Sequence, residues 1–132
     1  QATRELFADT LLNDGRPPLE RLAACIDAGT DKLNLASMRN GCMLGNFAAE
    51  AAADSEAIRV KLLDIFNEIE DAFAYCLKAA VKAGEVPDDL DVGETAAFIV
   101  QSLQGANLLS KACRNPVPVG RFKKILFGKI LK

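Results

Sequence analysis

Apolar positions along the chain recur every three or four residues, and no stretch alternates apolar and polar residues over the length of a strand. The pattern predicts an all-α protein of about six helices. Leu6, Phe7, Thr10 and Leu11 mark one face of a first helix over residues 2–12, stopped by the turn-prone Asn13, Asp14 and Gly15. Nothing before Arg4 resembles an N-cap, so this helix reads as the end of a longer one. Pro17 and Pro18 suit the first turn of a second helix, where a missing N–H costs little. Leu19, Leu22, Ala23, Ile26 and Leu33 form its apolar face, and it should end before Gly41.

A short alanine-rich helix is expected over residues 42–53, with Asp54 placed to cap the next. Residues 55–83 carry Ile58, Leu62, Ile65, Phe66, Ile69, Phe73, Cys76, Leu77, Ala80 and Val81, the stripe of a long central helix. Gly84 suits a left-handed C-cap, and Pro87 follows it. Asp91 and Glu94 have capping-box spacing and open a helix that runs to Cys113.

That helix has two apolar stripes. Ile99, Leu103, Ala106 and Ser110 share one side, while Phe98, Gly105, Leu108, Leu109 and Ala112 share another, so it should pack against partners on both. Arg114, Asn115, Pro116 and Pro118 break it. Val119, Phe122, Ile125, Leu126, Phe127, Ile130 and Leu131 then crowd a final helix of about fourteen residues. A helix so short and so apolar needs a second surface to bury, which points to self-association. Gly105 costs about 1 kcal/mol against Ala in a helix interior. Its reason is either close approach of a second chain or packing within one chain.

Composition narrows the chemistry. The 132 residues fit one domain; half are apolar, a quarter are charged, and there is no His and no Trp. Without imidazole, Ser-His-Asp, Cys-His and His-bearing zinc sites are all excluded. Glu50, Glu68 and Glu70 could in principle act as catalytic carboxylates, but no Glu-x-x-His motif supports a di-iron bundle. The chain reads as a non-enzyme without a cofactor. Cys25, Cys42, Cys76 and Cys113 form no Cys-x-x-Cys pair, so no metal site is expected and each reads as a small, reduced core residue.

No apolar run reaches the roughly 18 residues of a membrane span, and no signal peptide is visible, so a cytoplasmic location is expected. Charge is uneven: residues 1–110 hold 9 basic and 18 acidic side chains, and residues 111–132 hold 7 basic and none acidic. Cations near a helix C-terminus are favoured by its dipole, so a basic tail alone does not imply nucleic-acid contact.

The segment GCMLGNFAAEAAADSEAIRVKLL at residues 41–63 resembles the middle of the C-terminal domain in a subgroup of TetR-like transcriptional repressors. Residues 83–113, with the Gln104-Gly105 pair and Leu108-Leu109, resemble the same family's loop and penultimate helix. The resemblance covers nearly the whole chain. It implies a homodimer whose last two helices pair with their counterparts in a four-helix bundle, with an effector cavity enclosed by the preceding helices. Phe98, Gly105, Leu108, Leu109, Ala112, Phe122, Ile125, Leu126 and Ile130 are then the expected interface.

A cavity of that kind takes its affinity from apolar walls and its orientation from a few polar groups. Phe47, Phe66, Ile69, Phe73 and Phe98 are the expected walls; Cys42, Asn46, Tyr75 and Asn107 are the polar candidates. The effector implied is a small, largely apolar molecule. Cys42 follows Gly41 at a helix start, where a thiolate is stabilised, so a thiol sensor of the same fold is an alternative. A helical scaffold without ligand is another. Such repressors carry a helix-turn-helix before this region, and nothing in residues 1–132 supplies a recognition helix, so contact with DNA is expected only through a preceding domain.

Overall fold

The computed structural model describes residues 2–31 and 55–132. Among them are five α-helices, a closing π-helical turn and no strand: α1 (Ala2–Asp9), α2 (Pro18–Asp31), α3 (Glu56–Lys82), α4 (Val92–Cys113), α5 (Val117–Ile125) and the turn Leu126–Ile130. The short helix expected over residues 42–53, and the cap expected at Asp54, lie outside the described residues.

Local chemistry sets most of the ends. Ser55 begins α3, its Oγ accepting from the Ile58 N–H at 3.3 Å. Asp91 begins α4 as its spacing with Glu94 predicts, Oδ1 accepting from the Glu94 N–H at 3.1 Å. Helix α3 closes at Gly84, whose φ of 76° lets the Glu85 N–H reach back to the Ala80 carbonyl at 2.9 Å and its own N–H to Val81 at 3.1 Å.

Helix α4 ends with the same pair of bonds, Asn115 N–H to the Ser110 carbonyl and Arg114 N–H to Lys111, but Arg114 occupies the left-handed position at φ 57°. A side chain there is disfavoured where glycine is not. Arg114→Gly is therefore expected to stabilise the fold by about 0.5–1 kcal/mol, read as a higher urea midpoint with an unchanged slope.

Two ends differ from expectation. Helix α1 stops at Asp9, three residues early, because the Thr10 hydroxyl donates to the Leu6 carbonyl at 2.6 Å and the Leu12 N–H bonds to Phe7, which closes the helix in a wider turn. The expected last helix is α only to Ile125. Its final turn is π, with the Leu131 N–H bonded to the Leu126 carbonyl at 2.9 Å. A π turn brings residues five apart back to nearly the same side, and Leu126 and Leu131 are both buried as a result.

The core lies where α3 packs between α2 and α4 and where α5 covers α4. Leu22 and Ile26 of α2, Phe73 and Leu77 of α3, Ile99 and Val100 of α4, and Val119, Leu126 and Leu131 of the last segment meet there. The α3 stripe is thus only partly used: Leu62, Phe73, Cys76, Leu77 and Ala80 are buried, while Ile58, Ile65, Phe66 and Ile69 are half-buried. Among the described residues no helix is long and apolar enough to cross a membrane.

Candidate functional site

Helix α4 divides its two apolar stripes as the sequence predicts. Ile99, Ala106 and Ser110 face the chain's own core, with Leu103 half-buried beside them. Phe98, Leu108 and Leu109 face outward at 48%, 56% and 56% exposure, and Ile125 of α5 adds a fourth large apolar side chain at 50%. Gly105 and Ala112 are exposed on α4, and a Cβ added at Gly105 would meet nothing within 4 Å. Packing among the described residues therefore gives no reason for this glycine.

A groove of about 320 Å³ runs between α4 and α5, lined by Phe98, Ser102, Ala106, Leu109, Pro118, Arg121, Phe122, Ile125, Leu126 and Ile130. Phe122 and Ile130 are half-buried in it. Leu126 departs from expectation: at 1% exposure it belongs to the core, because it stands two α-helical turns after the buried Val119 and shares its face. Val117, between the helix-breaking Pro116 and Pro118, is more than half exposed as well.

The other expected residues are spread more widely. Phe73 is buried and meets Phe7 edge to face, ring centroids 6.3 Å apart. Phe66 and Ile69 are half-buried against the core. Phe98 lies on the outward face of α4 and so walls no interior space. Tyr75 is not an interior polar group either: it is exposed, and its hydroxyl donates to Asp14 Oδ1 at 2.7 Å. Asn107 keeps the expected role open, since its Oδ1 is buried without a hydrogen-bond partner among the described residues, as is the Ser110 Oγ one turn further on. Cys42, Asn46 and Phe47 lie outside the described residues.

Sequence reading missed the polar network that fastens the α1–α2 turn to the rest of the protein. Arg21 is buried; its Nε donates to the Arg16 carbonyl at 2.6 Å, and Nη1 lies 3.6 Å from Asp14 Oδ1. Glu85 Oε1 accepts from the Leu19 N–H at 2.9 Å and satisfies the first turn of α2. The basic tail is partly used in the same way, Lys123 pairing with Asp27 of α2.

Cys25 and Cys76 are buried as expected, whereas Cys113 is exposed. The Cys76 thiol donates to the Pro18 carbonyl, and burial pushes its pKa up to about 11. Its neutral form is thus favoured by folding. The unfolded thiol ionises first, from its ordinary value near 9, so unfolding releases a proton and stability should fall between about pH 9 and pH 11. Urea titrations at stepped pH check this, with Cys76→Ala expected to flatten the decline. Among the described residues no three His, Cys, Asp or Glu side chains are grouped to hold a metal.

Comparison with known proteins returns a consistent set. A family model described as the tetracyclin repressor-like C-terminal domain matches residues 18–126. The HTH-type transcriptional repressor DhaR of Mycobacterium sp. (strain GP1) is 31% identical over 138 residues, spanning 99% of this chain and 68% of that protein. The crystal structure of a regulatory protein TetR from Rhodobacter sphaeroides superposes with a TM-score of 0.87 at 25% identity, covering 96% of this chain and 66% of that one. The chain thus spans about two thirds of the length of either relative.

Proposed function

Because the chain belongs to the tetracyclin repressor-like C-terminal domain family, we propose that it is the dimerising, effector-sensing part of a cytoplasmic transcriptional repressor, with no catalytic step of its own. The observation that carries this reading is the outward apolar face of α4 and α5. Phe98, Leu109 and Ile125 expose large apolar surfaces along one groove, and Leu108 and Val117 are exposed on the same two helices, the kind of apolar surface that a stable protein covers with a partner. A second copy related by a two-fold axis presents the same face, and Gly105, with open space above it, lets the two α4 helices approach closely.

Effector binding is supported by Asn107. A buried amide oxygen left unpaired costs about 1–3 kcal/mol, and a ligand carrying a hydrogen-bond donor on an apolar body would recover it. Phe66 and Ile69, half-buried on α3, would supply apolar contact, and Phe73 would back them from the core. The effector acts if it binds one arrangement of the helices better than the other, shifting the dimer away from its DNA-competent form. DNA itself would be read by a preceding domain.

Sedimentation equilibrium tests the central claim. At micromolar concentration the mass should be twice the 14.2 kDa of one chain. A one-chain mass would remove the dimer, and with it the route by which a ligand could set the spacing of two DNA-reading heads.

A further inference from the structure

The geometry points to an antiparallel pairing of α4 with the α4 of a second copy, centred at the level of Leu103, in which Glu94 of each chain meets Lys111 of the other. The inference rests on the dimer reading and adds to it the register and the charge contact that select a like partner. Glu94, Phe98, Gln101, Gly105, Leu108 and Ala112 are all exposed. They stand alternately four and three residues apart, the spacing of a seam that packs along a second helix.

Two-fold symmetry lets such a seam pair with itself in parallel or antiparallel fashion. In parallel, each residue faces its own copy: Glu94 opposes Glu94, and the two Gly105 positions face each other across a gap. In the antiparallel case, an axis at Leu103 sets residues equally far from it face to face, and Leu103 lies at the middle of Val92–Cys113. Every seam position then has an opposite. Phe98 packs on Leu108 of the second copy, Gln101 lies across Gly105, and Glu94 lies across Ala112. The long side chains fill the space that glycine and alanine leave, which supplies the reason for Gly105 that packing among the described residues does not. A shift of the axis toward either helix end leaves part of the seam unopposed.

Charge supports the same register independently. The first turn of α4 carries Glu94, exposed and in no ion pair among the described residues, and its last turn carries Lys111. Beside Leu108 and Ala112 lies a hollow of about 500 Å³ walled by Lys111 and Arg114. Antiparallel pairing brings the acidic turn of each chain to the basic hollow of the other, whereas parallel pairing sets like charges together. A different chain lacking this charge order is disfavoured as a partner, while a second copy fits at both ends.

Charge reversal reads the contact. Glu94→Lys and Lys111→Glu should each raise the dimer dissociation constant about fivefold. Mixed in equal amounts, the two variants should pair with each other more often than random mixing allows, read by native mass spectrometry, because only the mixed dimer restores both contacts. Cross-linking reads the register. In the full chain carrying Cys113→Ser, Phe98→Cys together with Leu108→Cys should join two chains through positions 98 and 108 on mild oxidation. Neither single variant should cross-link, since its two copies would stand about 15 Å apart along the helices, against the roughly 4–7 Å between Cα atoms that a disulfide spans. Links from 98 to 98 or 108 to 108, or random mixing of the charge variants, would overturn the register while sedimentation still showed a dimer. A one-chain mass for the unsubstituted protein would instead remove the dimer reading, and the register with it.

Discussion

Leu77→Ala is expected to lower the unfolding free energy by about 2–5 kcal/mol, a large part of the roughly 5–15 kcal/mol that holds a domain of this size together. Leu77 has no exposed surface and sits on α3 at the point where that helix lies between α2 and α4. Leu22 and Ile26 of α2 and Ile99 of α4, which share its core cluster, are themselves buried on the two flanking helices, so they cannot all move in to fill the space. The loss is the transfer energy of the deleted carbons plus the cavity they leave. Urea unfolding followed by circular dichroism at one fixed protein concentration checks it, since an associating chain gains apparent stability with concentration. A change under 1 kcal/mol would mean that the core can collapse around α3.

The second large effect concerns association. Phe98→Glu combined with Leu109→Glu should convert the two-chain species into a folded monomer at micromolar concentration. Both side chains are about half exposed within one chain, so the carboxylates stay in water in the monomer and its fold should persist. In the proposed dimer they would be moved into an apolar interface beside their own symmetry copies, where unpaired charge is costly. Sedimentation reports the mass and circular dichroism the helix content. Leu63→Glu, at an equally exposed apolar position on α3, is the control and should leave association unchanged. If the double variant remains a dimer, the interface lies elsewhere.

What could be read from sequence and what could not divide along physical lines. The ends at Asp91 and Gly84 were legible because a cap is decided by residues three or four positions apart. The two stripes of α4 were legible because that helix has two apolar surfaces, and periodicity shows both. Tyr75 was misplaced: on a half-buried helix, periodicity does not say where the buried arc ends, and Tyr75 lies just beyond it, next to the buried Cys76. Leu126 was misplaced because periodicity gives the face it shares with Val119 but not whether that face meets the chain's own core or a partner. Arg21 would be assigned to solvent on charge alone. It is buried because a carbonyl from the preceding turn and the Asp14 carboxylate meet it there, and neither partner is visible in a hydrophobic pattern.

The bond from Glu85 to the Leu19 N–H also bears on how the chain reaches its native form. A helix whose cap lies in its own sequence can begin as soon as a few residues are fixed, but α2 takes its cap from a residue 66 positions further along. That carboxylate arrives only once α3 is complete and its C-terminal turn has set Glu85 in place. The start of α2 is therefore completed by a long-range contact, whereas α3 and α4 carry caps within their own sequence.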